Sequence, residues 1–111
     1  MIPADLLDQL REKDPELWER MRRMPVYVHQ DGQLTIDLTK SDNTELVAAW
    51  LQHCLQEAIR ARDGWGCQIT SFGLPVIANV YNRREYTTGR GDTEAEALCW
   101  AYLAAIEAIR P

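Results

Sequence analysis

Cys54, Cys67 and Cys99 are the chain's natural nucleophiles, and His29 and His53 are its side chains suited to base chemistry near neutral pH. A thiol activated by an imidazole would make an acyl-transfer enzyme, and a cluster of the same groups would make a zinc site. The spacing supports neither. There is no CxxC, and the three cysteines and two histidines lie far apart along the chain. Hydrolytic groups can converge from distant positions, but no local signature marks such a site. The expectation is a protein without catalytic residues, metal or cofactor, whose thiols are reduced and packed.

Arginine offers a second chemistry. Arg83 and Arg84 follow Asn82 between two strand-like segments, and Arg90 comes a few residues later. Grouped guanidinium ions can hold a phosphate or an acidic partner, although such groups also occur as solvated hairpin tips. Arg90 also begins Arg-Gly-Asp, a tripeptide that some extracellular ligands present to receptors. Asp92 stands at the expected start of a helix, where a capping role accounts for it.

Several elements must position these residues. "MIPADLLDQLREKDPELWERMRRMP" has helical periodicity broken at Pro15, with Asp14 as N-cap of a second short helix over Pro15 to Arg23. Val26, Val28, Leu34, Ile36 and Leu38 alternate on either side of Asp31-Gly32, which predicts a hairpin with His29 at its edge. Over residues 43–62, Leu46, Val47, Trp50, Leu51, Cys54, Leu55, Ala58 and Ile59 form a wide apolar stripe. Asp42 and Glu45 have capping-box spacing, and Gly64 marks the helix end. Cys54 lies within the stripe and His53 at its margin.

Trp65, Cys67 and Ile69, a turn at Gly73, "PVIANVY" and a third strand near Glu85 to Thr88 predict a β-meander. Thr93 and Glu96 then cap a last helix over 94–109. Leu98, Cys99, Tyr102, Leu103, Ile106 and Ile109 are on its inward face, and Ala101, Ala104, Ala105 and Ala108 permit close approach. The whole is an α+β fold in one domain: N-terminal helices and a hairpin over 1–40, then an α-β-β-β-α core over 41–111.

The chain has 111 residues, 46% apolar and 26% charged, in the range of a globular domain. No apolar run approaches the roughly 20 residues that cross a bilayer. The N-terminus turns acidic without a basic start and apolar stretch, so a cytoplasmic location is expected. The net charge of −5 makes nucleic acid an unlikely partner, because phosphate binding draws on a basic surplus. A protein partner is expected instead, either a foreign protein or a second copy. Trp18 and Met21 on the short helix, with Arg83, Arg84 and Arg90, are the candidate contact residues.

Two resemblances bear on these expectations. The α-β-β-β-α order resembles a double-stranded-RNA-binding domain. Such domains place lysines at the start of the last helix, where this chain has Asp92, Glu94 and Glu96. The stretch from "GWGCQITSFG" to "GDTEAEALCWAYLAAIEAI" resembles the phage ABA sandwich family of small phage and prophage proteins. It does so through Asp92, Thr93, Ala97, Leu98, Cys99, Ala101, Leu103, Ala104 and Ala105, and the resemblance spans residues 43–110. It implies a layered helix–sheet arrangement and a phage or prophage origin. That origin and the acidic charge together lead to the expectation of a protein that binds a host enzyme or defence system, as anti-CRISPR inhibitors do. The alternatives are a structural or homodimeric accessory domain with no inhibitory role, and a nucleic-acid-binding domain of the double-stranded-RNA-binding topology.

Overall fold

The computed structural model describes residues 3–28, 32–37 and 44–108. Helices α1 (Ala4–Lys13) and α2 (Pro15–Met21) lead to strands β1 (Arg23–Val28) and β2 (Gly32–Asp37). Helix α3 (Thr44–Arg60), strands β3 (Gly66–Thr70), β4 (Val76–Tyr81) and β5 (Tyr86–Gly91), and helix α4 (Glu94–Ala108) complete the chain. The α+β architecture and the order of its elements are those expected. Strands β3, β4 and β5 form an antiparallel meander in that order, and β1 pairs with β2 in a separate two-stranded ladder.

Alternation decides which side of the meander meets the helices. Val76, Ala78 and Val80 of β4 are buried, and the register sets Ala78 between Ile69 and Gly89, and Val80 between Cys67 and Thr87. Against this side lies one cluster containing Leu51, Cys54, Leu55 and Ile59 of α3 and Leu98, Cys99, Tyr102, Leu103 and Ile106 of α4. Leu51 is fully buried in it, so Leu51→Ala is expected to cost about 3 kcal/mol, as a buried large-to-small change that leaves a cavity. Urea unfolding that loses less than half a kcal/mol would place α3 outside the core.

Helix α4 is seated by two unusual neighbours on β5. A Cβ at Gly89 would land on the Ala97 carbonyl oxygen and the Ala101 amide nitrogen, so strand and helix touch backbone to backbone. Thr87 Oγ1 donates to the Ala101 carbonyl at 2.7 Å. The small residues of α4 thus serve close approach at Ala97, Ala101 and Ala105, whereas Ala104 and Ala108 are exposed. At the N-terminus of α4, Thr93 Oγ1 accepts from Glu96 N at 3.1 Å, while the Glu96 carboxylate accepts from Asp92 N at 3.2 Å. Thr93 is therefore the side-chain cap, and Asp92 contributes its backbone amide.

Trp18 and Met21 correct an expectation. Both are buried in the same cluster as the sandwich, together with Leu6, Leu10 and Leu17, so neither is offered to a partner. Two polar links hold them there. Asp14 caps α2 by accepting from Leu17 N at 3.3 Å and also accepts from the Tyr102 hydroxyl of α4 at 2.5 Å. Trp50 Nε1 donates to the Met21 carbonyl at 2.7 Å, which ties this indole to the end of α2. Helix α2 also ends at Met21, and Pro25 lies within β1 opposite Thr35. Val28 opposes Gly32, so Gly32 belongs to the strand and not to a two-residue Asp-Gly turn. His29, Asp31, Leu38, Asp42 and Ile109 lie outside the described residues.

Candidate functional site

The thiols are positioned for packing. Cys54 and Cys99 are buried on α3 and α4, and Cys67 is half-buried on β3. Burial pushes the Cys54 thiol up to about 11 against a weaker pull from Arg20. It pushes Cys99 up to about 12, with Glu96 adding to the rise, and it raises Cys67 as well. A nucleophilic thiol needs the opposite environment. His53 is exposed, stacked on Trp50 at 5.6 Å between centroids and 3.2 Å from Glu57 Oε1. Glu57 also pairs with Arg20. Among the described residues, no cluster of three His, Cys, Asp or Glu could hold a metal ion.

A cleft of about 430 Å³ lies between α2, α3 and α4 and is lined in part by Asp14, Glu16, Arg20, Arg62 and Tyr102. Tyr102 is the only phenol in it, and burial and the Asp14 hydrogen bond raise its pKa, with a smaller opposing effect from Arg62. The phenol therefore keeps its proton and acts as a tether from α4 to α2. Its cleft has acids and bases in equal number and no nucleophile beside a base.

The other side of the meander is open. The register places Gly66, Tyr81 and Tyr86 in one row, Gln68, Asn79 and Thr88 in the next, and Thr70, Ile77 and Arg90 in the third. Tyr86 is 70% exposed and Tyr81 45%. The Tyr81 ring lies over Gly66, where any Cβ would meet it. Thr88 Oγ1 donates to Asn79 Oδ1 at 2.7 Å, which fixes the amide in the middle row.

The arginines expected to cluster are divided by this sheet. Strand β5 extends to Gly91, so Arg90 sits at one end of the open face. Arg83 and Arg84 sit at the opposite end, beyond Tyr86, in the β4–β5 connection. Strand geometry separates Arg90 from Tyr86 by about 13 Å. Arg83 donates to Asp63 Oδ2 at 3.0 Å. The Arg84 and Arg90 side chains have no ion-pair partner among the described residues. Arg-Gly-Asp is thus a strand end and not a loop tip, and Gly91 is closed off by the Glu96 side chain.

No family model, curated protein or solved structure matches this chain. The resemblance of residues 43–110 to the phage sandwich family therefore rests on its motif. The α3-β3-β4-β5-α4 order has the topology noted for double-stranded-RNA-binding domains, but the first turn of α4 is acidic, with Glu94 exposed and bonded to Gln52 at 3.2 Å. No gel shift of duplex RNA or DNA is expected at physiological salt, and a sub-micromolar shift weakened by added salt would overturn this.

The open face was hidden from the sequence reading, although a signal for it was present. From Trp65 to Asn82 the chain has no Asp, Glu, Lys, Arg or His, while 26% of all residues are charged. Such a stretch covers both an inward and an outward set of side chains, and only the outward set needs a partner in place of water.

Proposed function

We propose that the chain is a protein-binding module rather than an enzyme, and that the open face of the meander is its contact surface. One observation carries this reading: on an acidic protein, the three rows of that face have a single charged side chain, Arg90, together with two exposed tyrosines. The centres of protein interfaces are poor in Lys, Asp and Glu and rich in Tyr and Arg. Tyrosine supplies contact area at low entropic cost, and the Gln68, Asn79 and Thr88 row supplies hydrogen bonds. Single-stranded nucleic acid would also stack on tyrosines, but it favours a basic groove that one arginine does not make.

A host protein is the proposed partner, and inhibition its proposed consequence, on the strength of the resemblance to phage proteins. Mimicry of nucleic acid by the acidic helical side has less support. There Asp8 pairs with Arg11, Glu19 with Arg22 and Glu107 with Lys13, which breaks up any continuous anionic track.

The test is quantitative capture from host lysate with three baits: wild type, the double variant Tyr86→Ala/Arg90→Glu, and Glu12→Lys on the helical side. The expected outcome is a protein retained by wild type and Glu12→Lys and depleted about tenfold or more by the double variant, as truncated interface anchors predict. Equal capture by all three baits would remove the open face as the contact surface.

A further inference from the structure

Strand β3 is an outer strand of the meander, and its free edge has no strand partner among the described residues. Beyond the ladder to β4, no backbone N–H or C=O of Gly66–Thr70 has a hydrogen-bond partner among the described residues. Exposed edges are ordinarily blunted by lysine, proline, a bulge or a covering element. The sequence Gly-Cys-Gln-Ile-Thr has no charge and no proline, and its pairing with β4 runs without a bulge. Cover is also thin: α4 lies mainly along β4 and β5, and α3 is the helix with the main contact to β3. Trp65, Cys67 and Ile69 consequently pack against the core while remaining half-buried. The outer strand at the other side, β5, carries Arg90 and is underlain by α4.

A second feature adjoins this edge. In the loop that follows β3, Phe72 is 98% exposed and Leu74 is 73% exposed, with no charged neighbour from Ser71 to Pro75. A bare phenylalanine beside this strand edge is an association surface with a direction built into it.

We propose that the β3 edge pairs antiparallel with β3 of a second copy of this chain, about a twofold axis at Gln68, joining the two meanders into one continuous sheet. Gln68 is the middle residue of β3, so this register sets Gly66 opposite Thr70 of the second copy and Cys67 opposite Ile69 of the second copy. Phe72 follows Thr70 by two residues, so each copy carries its Phe72 at the end of the paired strands, next to the start of the second copy's β3. Trp65 stands at that end, half-buried at the entrance to β3. Two aromatic contacts form at once, one at each end of the paired strands.

This symmetry selects a second copy over a foreign strand. A foreign strand would satisfy the edge and leave Phe72 in water, whereas the isologous pairing uses both features in both copies. Charge agrees. Each copy has a net charge of −5, yet the paired segments bring no like charges face to face. The interface lies at the edge of the sheet, so the open face remains free and doubles in extent.

Sedimentation velocity and light scattering on the full chain test the proposal. Wild type is expected at twice the 12.8 kDa chain mass. Gln68→Lys sets two ammonium groups across the axis, and Phe72→Ala removes both anchors. Each is expected to raise the dimer dissociation constant roughly a hundredfold, since each change acts twice in the interface. Both side chains are exposed, so the circular dichroism and unfolding midpoint of the monomer should stay as in wild type. Wild type that stays monomeric at several hundred micromolar would overturn the proposal. So would a dimer that both substitutions leave intact. The open-face variant Tyr86→Ala/Arg90→Glu is expected to dimerise normally, which separates this interface from the partner surface.

Discussion

Gly89→Val is expected to prevent stable folding. The Cβ alone would fall on the Ala97 carbonyl oxygen and the Ala101 amide nitrogen, which are backbone atoms in the middle of a helix. A side chain can rotate away from an intruding methyl, but these atoms can yield only if α4 lifts off the sheet. Lifting would break the Thr87 hydrogen bond to Ala101 and unpack Leu98, Tyr102 and Ile106 from the strands. Overpacking in ordinary cores costs about 1–3 kcal/mol. A backbone collision at the most intimate helix–strand contact should exceed about 4 kcal/mol, a large share of a small domain's stability. Gly89→Ala should cost nearly as much, because the first added carbon makes the collision. Urea titration checks both variants, and an alanine variant within half a kcal/mol of wild type would mean that α4 is not seated on Gly89.

The elements of the α3-to-α4 core were legible in the sequence because two periods are written into it. The stripe through Leu51, Cys54, Leu55 and Ile59 has helical spacing, and Val76, Ala78 and Val80 alternate with outward residues. The position of α2 was not legible. Trp18 and Met21 show the same spacing whether they cover a core or await a partner. The contacts that decide, Trp50 to Met21 and Tyr102 to Asp14, join residues far apart in sequence. Arg90 was grouped with Arg83 and Arg84 because it follows them by a few residues, with the third strand expected to end near Thr88. The glycines there are set by the closeness of α4 and of Glu96, and the strand runs on through them. The open face could not be assigned before the helices were known to lie on one side of the sheet.

The same packing makes the fold sensitive to alkali. Cys54 and Cys99 sit where an anion would be buried, so burial holds their thiols protonated up to about 11 and about 12. In the unfolded chain they ionise near 9. Above that pH the unfolded state sheds protons that the folded state keeps, so both pKa values, raised on folding, contribute stability that is complete below 9 and lost above it. At roughly 1.4 kcal/mol per thiol per pH unit, the loss should be on the order of 5 kcal/mol by pH 11. Tyr102 acts in the same direction, since burial and its bond to Asp14 raise its pKa too. Urea unfolding at intervals from pH 8 to pH 11 should therefore show stability level at first and then falling steeply. The double variant Cys54→Ala/Cys99→Ala should start less stable because of its cavities and decline more gently, leaving the contribution of Tyr102. A wild-type curve that stays level to pH 11 would show that water reaches these thiols in the folded protein.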